Sequence, residues 1–423
     1  MTSDDPRLPK STAATPRARM TALVAALAAW GPGLLVMLAD ADAGNVITAA
    51  QSGVRWSYRL LPLLLLLIPL LYMIQELAVR LGLFTGKGFA ELIREHFGRG
   101  WAYVALAAVG VATLGSLVTE LIGIAGVGEL YGVSRMLVLP VAAACLLLVV
   151  LSGKYRRVER AAIVIGLFEL SFFLVAWSSH PHLATVLHDA GDQRFGNTDY
   201  LYLCAALIGA TFNPWMVFYQ TSALAEKKLG GLHHRAARAD TAVGAVLTQA
   251  VTAAVLVAAA ATIGRTGATT SLDTVGQISG ALTPLLGGTI GRLVFGMGVV
   301  GAAMVAAIVC SLAFAWSVGE VVGLSHTLER QPLRGPWFYV SYTACVGGSA
   351  VIVLRESNLV WLSIAAQVVN ALLLPLVAAL LLVLAATVLP APVRLRGPYL
   401  WVVATLAGLV SIAGLVGAVA GLA

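Results

Sequence analysis

Eleven apolar runs follow one another along the chain, near 23–54, 58–82, 101–128, 136–152, 161–179, 199–223, 241–264, 289–322, 337–354, 359–387 and 399–422, with short polar stretches between them. A hydrocarbon core about 30 Å thick takes ~20 helical residues. The pattern therefore predicts an all-α integral membrane protein of about 11 transmembrane helices. Most runs are plain Leu/Val/Ala, but two are interrupted. In the first, "LADADAGNVITAAQSG" (38–53) sets Asp40 and Asp42 inside the apolar stretch. In the sixth, "GATFNPWMVFYQ" (209–220) puts an amide and Pro214 at mid-span. Proline removes a backbone donor and clashes with the preceding turn, so neither run is expected to be one continuous helix.

The two breaks fall in runs one and six, which are corresponding positions of two five-helix halves, about 23–184 and 199–387. Broken helices in matched positions of an inverted repeat mark a midplane binding site. Exposed backbone at that depth is tolerated only where it lines a cavity or is buried in protein. The acids of run one are accordingly expected to face a site. The run at 399–422 stands outside both halves as an eleventh helix.

Composition agrees. Of 423 residues, 59% are hydrophobic and 11% charged, against about 25% charged in soluble domains, and the mean hydropathy is +0.89. The opening 1–22 is polar and Pro-rich and reads as a disordered cytoplasmic tail, not a cleavable signal. Cys145, Cys204, Cys310 and Cys345 all sit in apolar runs without metal-ligand spacing, as small core residues do. The net charge of +7 comes mainly from alternate loops. The tail, 80–99, 154–160, 227–238, 330–334 and 394–396 carry most Lys and Arg. This bias places the N-terminus and those loops in the cytoplasm and the chain in the plasma membrane. It is a topology signal, so nucleic acid is not an expected partner. No nucleophile, P-loop or dinucleotide motif is present, and an enzyme is not expected.

The first run, "GPGLLVMLADADAGNVITAAQSG", resembles the first helix of the natural resistance-associated macrophage protein (NRAMP) family of divalent-metal transporters. That family has Asp-Pro-Gly-Asn where this chain has Asp42-Ala43-Gly44-Asn45. "QELAVRLGLFTGKGFAELIREHFG" (75–98) is similar to the end of the family's second helix and the loop after it. "GATFNPWMVFYQ" matches the sixth helix, where the family carries Met-Pro-His, and "AAQVVNALLLP" (365–375) matches the tenth. The resemblance covers most of 25–390. It implies a LeuT-type fold, two inverted five-helix repeats with broken helices 1 and 6.

The departures are specific. Asn213 stands where the family has its metal-binding Met, Trp215 where it has His, and Gln220 where it has a second His. Glu120 keeps an acid in the third helix, and Gly123 replaces the second acid of proton-coupled members. The ninth run lacks their basic residues. This pattern looks like the NRAMP-related magnesium transporter branch.

A thioether is a soft ligand, whereas carboxylate, amide and carbonyl oxygens are hard. The candidate ligands are all oxygens: the Asp42 carboxylate, the Asn45 and Asn213 amides, and the backbone carbonyls of Ala39 and Ala210. Gln367 and Asn370 of the tenth helix complete the outer shell, with Asp40, Gly44, Thr211, Trp215, Gln220, Glu120 and Gly123 around them. Mg²⁺ dehydrates reluctantly and uses one or two carboxylates. The expected substrate is therefore hydrated Mg²⁺, with Mn²⁺ as co-substrate and no resident cofactor. Transport would run by alternating access in a monomer within the lipid bilayer. Asp40 has three open roles: attracting cations, standing neutral behind the site, or capping the broken half-helix. No histidine lies within a run, which argues against a proton relay.

Three rival readings stand beside this one, the last a non-transporting membrane receptor, against which the lack of any sizeable soluble domain argues. The first is proton-coupled Mn²⁺ or Fe²⁺ uptake with Glu120 as relay. The second is a small organic cation held by Trp215, Phe218 and Tyr219 through cation–π contact. "HPHLATVLHD" (180–189) is expected to be an exposed polar loop, not a metal site. Glu76, Glu169 and Glu320 lie within or near runs without a role that the sequence assigns.

Overall fold

The structure, a computed structural model, describes residues 31–421 apart from 152–154, 263–271, 273, 283–287, 324–335 and 357. The 1–22 tail, the Lys/Arg positions of 330–334, and His326 lie outside the described residues. All regular elements among the described residues are helical. Among the described residues eight helices are long and apolar enough to cross a bilayer, or up to ten when each of two bent pairs is one span, and the shorter Arg135–Leu151 adds a further apolar helix.

The first run is broken as expected. α1 (Pro32–Leu38) and α2 (Ala43–Trp56) meet at 47° across Ala39–Asp42. Pro32 fits the first turn of α1, where its missing N–H is no loss. Asp42 is extended (φ −69°, ψ 174°) and caps α2, accepting the Asn45 backbone N–H at 2.6 Å. The cap of the broken half-helix is thus Asp42 and not Asp40. α3 (Leu61–Thr85) follows, then α4 (Phe89–Leu130), which is interrupted at Gly98 (φ 85°). The third span is therefore preceded by a short helix that the apolar pattern alone does not show. Its N–H groups at Ala90 and Glu91 donate to the buried Glu320 carboxylate at 3.1 and 3.3 Å.

α5 (Arg135–Leu151) leads to α6 (Tyr155–Gly166) and α7 (Ser171–Ser178), joined by a 3₁₀ turn at Leu167–Leu170. The next segment corrects an expectation: "HPHLATVLHD" is not a loop, because Leu183–Gly191 forms α8, bent 104° from the helix before it. α8 is tied down by Arg59, which donates to Asp192 at 2.8 Å, while Arg194 donates to the same carboxylate at 2.7 Å. These hydrogen bonds hold the exposed Asp192 carboxyl below the usual carboxylate range.

The second half repeats the plan. α9 (Thr198–Thr211) stops at Phe212, and α10 (Pro214–Glu226) restarts with Asn213 at its N-cap and Pro214 in its first turn. α11 (His234–Thr262), α12 (Val275–Leu282), α13 (Gly288–Val322), α14 (Pro336–Arg355) and α15 (Leu359–Thr387) complete it. α16 (Pro398–Ala420) lies against α9 and α15. α13 packs along α4, and α11 along α1, α2 and α3, so the broken helices are enclosed by long unbroken ones. Close approach is bought by small residues, as expected where lipid gives no hydrophobic drive between helices. A Cβ on Gly209 of α9 would collide with the Gln367 carbonyl of α15.

Candidate metal centre

Breaking α1–α2 frees backbone carbonyls and places two acids at the same depth as the α9–α10 break. Side chains then cross-link the two breaks. Asn45 donates through Nδ2 to the Ala210 carbonyl at 3.0 Å and also to the Asp40 carbonyl. Asn213 donates to the same Ala210 oxygen at 3.0 Å and to Asp40 Oδ1 at 3.2 Å. Asn370 of α15 donates to Asn213 Oδ1 at 2.6 Å and to Gln367 Oε1 at 3.0 Å. Asp40, Asp42, Asn45, Asn213, Gln367 and Asn370 are all buried.

What these bonds leave over is three acceptors and one donor, the Gln367 Nε2 amide. Asp42 Oδ2, Asn45 Oδ1 and Asn370 Oδ1 are buried without a hydrogen-bond donor. Buried polar groups are normally paired, and leaving one unpaired costs about 1–3 kcal/mol, more for a charged group. Three orphaned oxygens around one break amount to a set of acceptors for a cation or its waters. Among the described residues no group of three His, Cys, Asp or Glu side chains could hold a metal ion. Any ion here must be held largely by amides, backbone carbonyls and water, which suits a hard cation.

The remaining positions fall into place around this set. Ala39 ends α1 and is buried, but the carbonyl that Asn45 reaches on that side is Asp40's. Gly44 lies against the Gln367 amide, where a Cβ would collide with Nε2. Glu120 accepts the Ala43 N–H at 3.1 Å and the Thr119 hydroxyl at 3.1 Å, and its carboxyl is within hydrogen-bonding reach of Asp42. At Gly123 a Cβ would press on Val299 and Ala43, so α4 touches α2 there with no room for a second acid. Thr211 accepts from Gln249 at 3.1 Å. Gln220 is buried on α10, about 10 Å beyond Asn213 at 1.5 Å per residue, and does not join the cluster.

The aromatic trio is committed elsewhere. Trp215 donates to Ser116 at 2.9 Å, Phe218 packs edge-on to Phe89 with centroids 4.9 Å apart, and Tyr219 stacks on Trp316 at 5.5 Å.

Sequence reasoning alone misses Ser116, Thr248 and Gln249. The Thr248 hydroxyl is 3.5 Å from Asp40 Oδ2, and Ser116 is 3.4 Å from Asn213 Oδ1. The signal available was weak, an adjacent Thr-Gln pair in the apolar "AVLTQAV". The other intramembrane acids now have surroundings. Glu76 pairs with Arg80 at 2.7 Å and Arg238 at 3.2 Å, with His234 3.4 Å away. Glu320 accepts the two α4 N–H groups and the Ser222 hydroxyl at 2.6 Å. Glu169 has no such donor.

Residues 33–420 match the family model "Natural resistance-associated macrophage protein-like". The divalent metal cation transporter MntH of Brucella suis is 28% identical over 282 residues, covering 64% of this chain and 62% of the relative. MntH 1 of Pseudomonas aeruginosa is 31% identical over 293 residues, covering 64% of each chain. The chain thus spans rather less than two thirds of the length of these curated relatives. A crystal structure of the Eremococcus coleocola manganese transporter superimposes with a TM-score of 0.75 at 18% identity, covering 97% of this chain and 88% of that one. That similarity is one of fold: a LeuT-type pair of inverted five-helix repeats.

Proposed function

The chain belongs to the natural resistance-associated macrophage protein-like family, and on that premise we propose that it is a secondary transporter carrying divalent cations inward, Mg²⁺ with Mn²⁺ as co-substrate, by alternating access. The relatives' description as divalent metal cation transporters supports the substrate class. One observation carries the choice of ion. At the α10 break, the position where the family places a thioether, Asn213 puts an amide instead, its Nδ2 donating to Asp40 Oδ1 and its Oδ1 accepting from Asn370 Nδ2. A soft donor there would favour transition metals, and an amide oxygen removes that preference.

Asp42 is the anchor, since its Oδ2 is buried and accepts no donor. The Asn45 and Asn370 carbonyl oxygens take water or ion, while Asn213, Gln367 and Ala210 hold those amides in position. Alternating access then means opening this buried set to one side at a time. The site lies at the junction of two half-helices, the elements that rock in this fold. A negative interior supplies ~2.3 kcal/mol per charge per 100 mV, which drives a divalent ion inward without a second ion. On this reading the N-terminus and the Lys/Arg-rich loops face the cytoplasm of a plasma-membrane monomer.

A second reading has an observation in its favour. The Asp42–Glu120 contact lets a metal arriving at Asp42 displace a proton toward Glu120, the first step a proton-coupled transporter needs. No His, Lys or Arg is buried among the described residues to continue such a relay.

The test is Mg²⁺ and Mn²⁺ flux into proteoliposomes with a trapped pH dye, for wild type and Asp42→Ala. Metal entry that is lost in the variant, without internal acidification, is the expected result. Entry accompanied by stoichiometric acidification selects the Glu120 reading. No entry of either metal above empty liposomes overturns both.

A further inference from the structure

α2 ends at Trp56, at the end of the bundle opposite the Asp240 and Lys227 that hold the start of α1. A crevice of about 570 Å³ opens there, away from the metal centre. It is lined by Arg55 and Trp56 of α2, by Arg59, and by 193–197, the link from α8 to α9. Every charged residue in its lining is an arginine.

The hydrogen bonds of this region use up its acceptors. Gln193 Oε1 accepts the Tyr200 hydroxyl at 2.6 Å, and Asn197 Oδ1 accepts the Tyr200 N–H at 3.1 Å. The Arg59 carbonyl accepts Gln193 Nε2 at 2.9 Å. Asp192, which does not line the crevice, accepts from Arg59 at 2.8 Å and from Arg194 at 2.7 Å, so two guanidiniums share one carboxylate oxygen. Asp189 also acts on Arg59, but it accepts from Ser57 and the Tyr58 N–H and likewise stands outside the lining. Arg55 has the loosest partner: Asp199 Oδ2 is 3.8 Å from its Nη1, beyond hydrogen-bonding distance. The Trp56 indole N–H has no acceptor. The atoms left over are donors, on Arg55, on Arg194 and on Trp56, whereas at the metal centre acceptors are in the majority. A wall of guanidinium forks suits an anion, and phosphate in particular, which Arg meets with paired N–H···O bonds.

The surroundings indicate where that phosphate comes from. α8 leaves the helix before it at 104° and shows Leu183 and Leu187, one turn apart, 71% and 66% exposed. Phe195, in the crevice wall, is 66% exposed. Apolar side chains presented beside arginines and a tryptophan at a helix end are the pattern of the headgroup level of a bilayer. A zwitterionic headgroup would set its own cation among the arginines, so an anionic one fits better.

We propose that this crevice binds the phosphate of an anionic phospholipid headgroup. Bound there, the lipid ties the end of α2 to the start of α9, the half-helices that bring Asn45 and Ala210 to the metal centre. The site does not depend on which ion the chain carries.

The test compares purified full-length protein in phosphatidylcholine nanodiscs with the same protein in nanodiscs where a quarter of the lipid is phosphatidylglycerol. Phosphatidylglycerol is expected to raise the Tm of wild type. Native mass spectrometry of the released protein should find it retained at least fivefold beyond its share of the lipid. In the double variant Arg55→Gln, Arg194→Gln both effects should vanish, while Arg55→Lys, which keeps the charge, keeps part of each. Arginines that only support the fold would lower Tm equally in both lipids and leave retention unchanged, and that result overturns the proposal. A wild type without preference for phosphatidylglycerol does the same. Inorganic phosphate that reproduces the rise in Tm in phosphatidylcholine alone assigns the crevice to free phosphate and overturns the lipid. Should the double variant not fold, Arg55→Gln alone decides, since its nearest carboxylate stands 3.8 Å away.

Discussion

Two groups of buried acids lie at different depths in the same bundle. Toward the Lys/Arg-rich end, Glu76 meets Arg80 and Arg238, Glu159 meets Lys227 at 2.6 Å, Asp240 accepts the Gly31 and Gly33 N–H groups at 3.2 and 2.8 Å, and Glu320 accepts two N–H groups of α4. At the helix breaks, Asp42 and Glu169 present oxygens to which nothing in the protein donates. The first group shows what a carboxylate does when it holds a fold together: it finds a base or a helix start. The contrast is one of degree: Glu76 Oε2 and Asp240 Oδ1 of the first group are also without a donor, and Asp42 itself caps α2, so among these acids only Glu169 has neither oxygen bonded.

The sharpest way to break this comparison is Asp42→Ala. It removes the anchoring charge, so metal affinity is expected to fall at least 100-fold by isothermal titration, with flux lost. The helix cap is lost as well, at about 1 kcal/mol, and Asp42→Asn keeps a capping oxygen while removing the charge. Retained affinity in Asp42→Asn would sink the anchoring role. Next in size is Asn213→Met, which trades a hard donor for a soft one. Competition of Mn²⁺ against Mg²⁺ should shift about tenfold toward Mn²⁺, and an unchanged ratio would remove Asn213 from the selectivity argument.

Glu76→Gln tests the other group. It leaves Arg80 and Arg238 without their shared carboxylate and should cost about 1–3 kcal/mol, read as a drop in Tm, while metal affinity stays within a factor of two. A large loss of affinity with an unchanged Tm would erase the distinction between the groups.

The smallest effect is expected at the exposed Asp192. Its carboxyl is held below the usual range by Arg59 and Arg194. Its contribution is therefore fully present above the ordinary carboxylate range and fades as pH falls through the depressed one. Asp192→Asn should flatten the Tm profile on the acid side only, and flattening near neutral pH would contradict the assignment.

Both breaks are legible in the sequence because they violate strong local rules, Pro214 inside an apolar run and two acids where charge is costly. The family resemblance rests on the same residues, so the fold and the residues that meet at the breaks are legible together. Less is legible where one residue serves by position. That Asp42 caps α2 while Asp40 receives Asn213 depends on a turn that spacing does not define. Thr248 and Gln249 look like ordinary small polar residues in an apolar helix until α11 is packed against the break. Glu169 is visible as an intramembrane acid, but its isolation is a fact of three-dimensional packing. The α8 helix escapes because "HPHLATVLHD" carries enough His and Pro to resemble a loop, while its apolar positions bury little.

The central claim is that a site of oxygens alone accepts Mg²⁺. It is tested most directly by Mn²⁺ uptake into wild-type proteoliposomes with external Mg²⁺ raised tenfold above Mn²⁺. A set without a thioether predicts that Mn²⁺ uptake falls below half and that Mg²⁺ itself enters. Mn²⁺ uptake indifferent to Mg²⁺, with no Mg²⁺ entry, would contradict the claim.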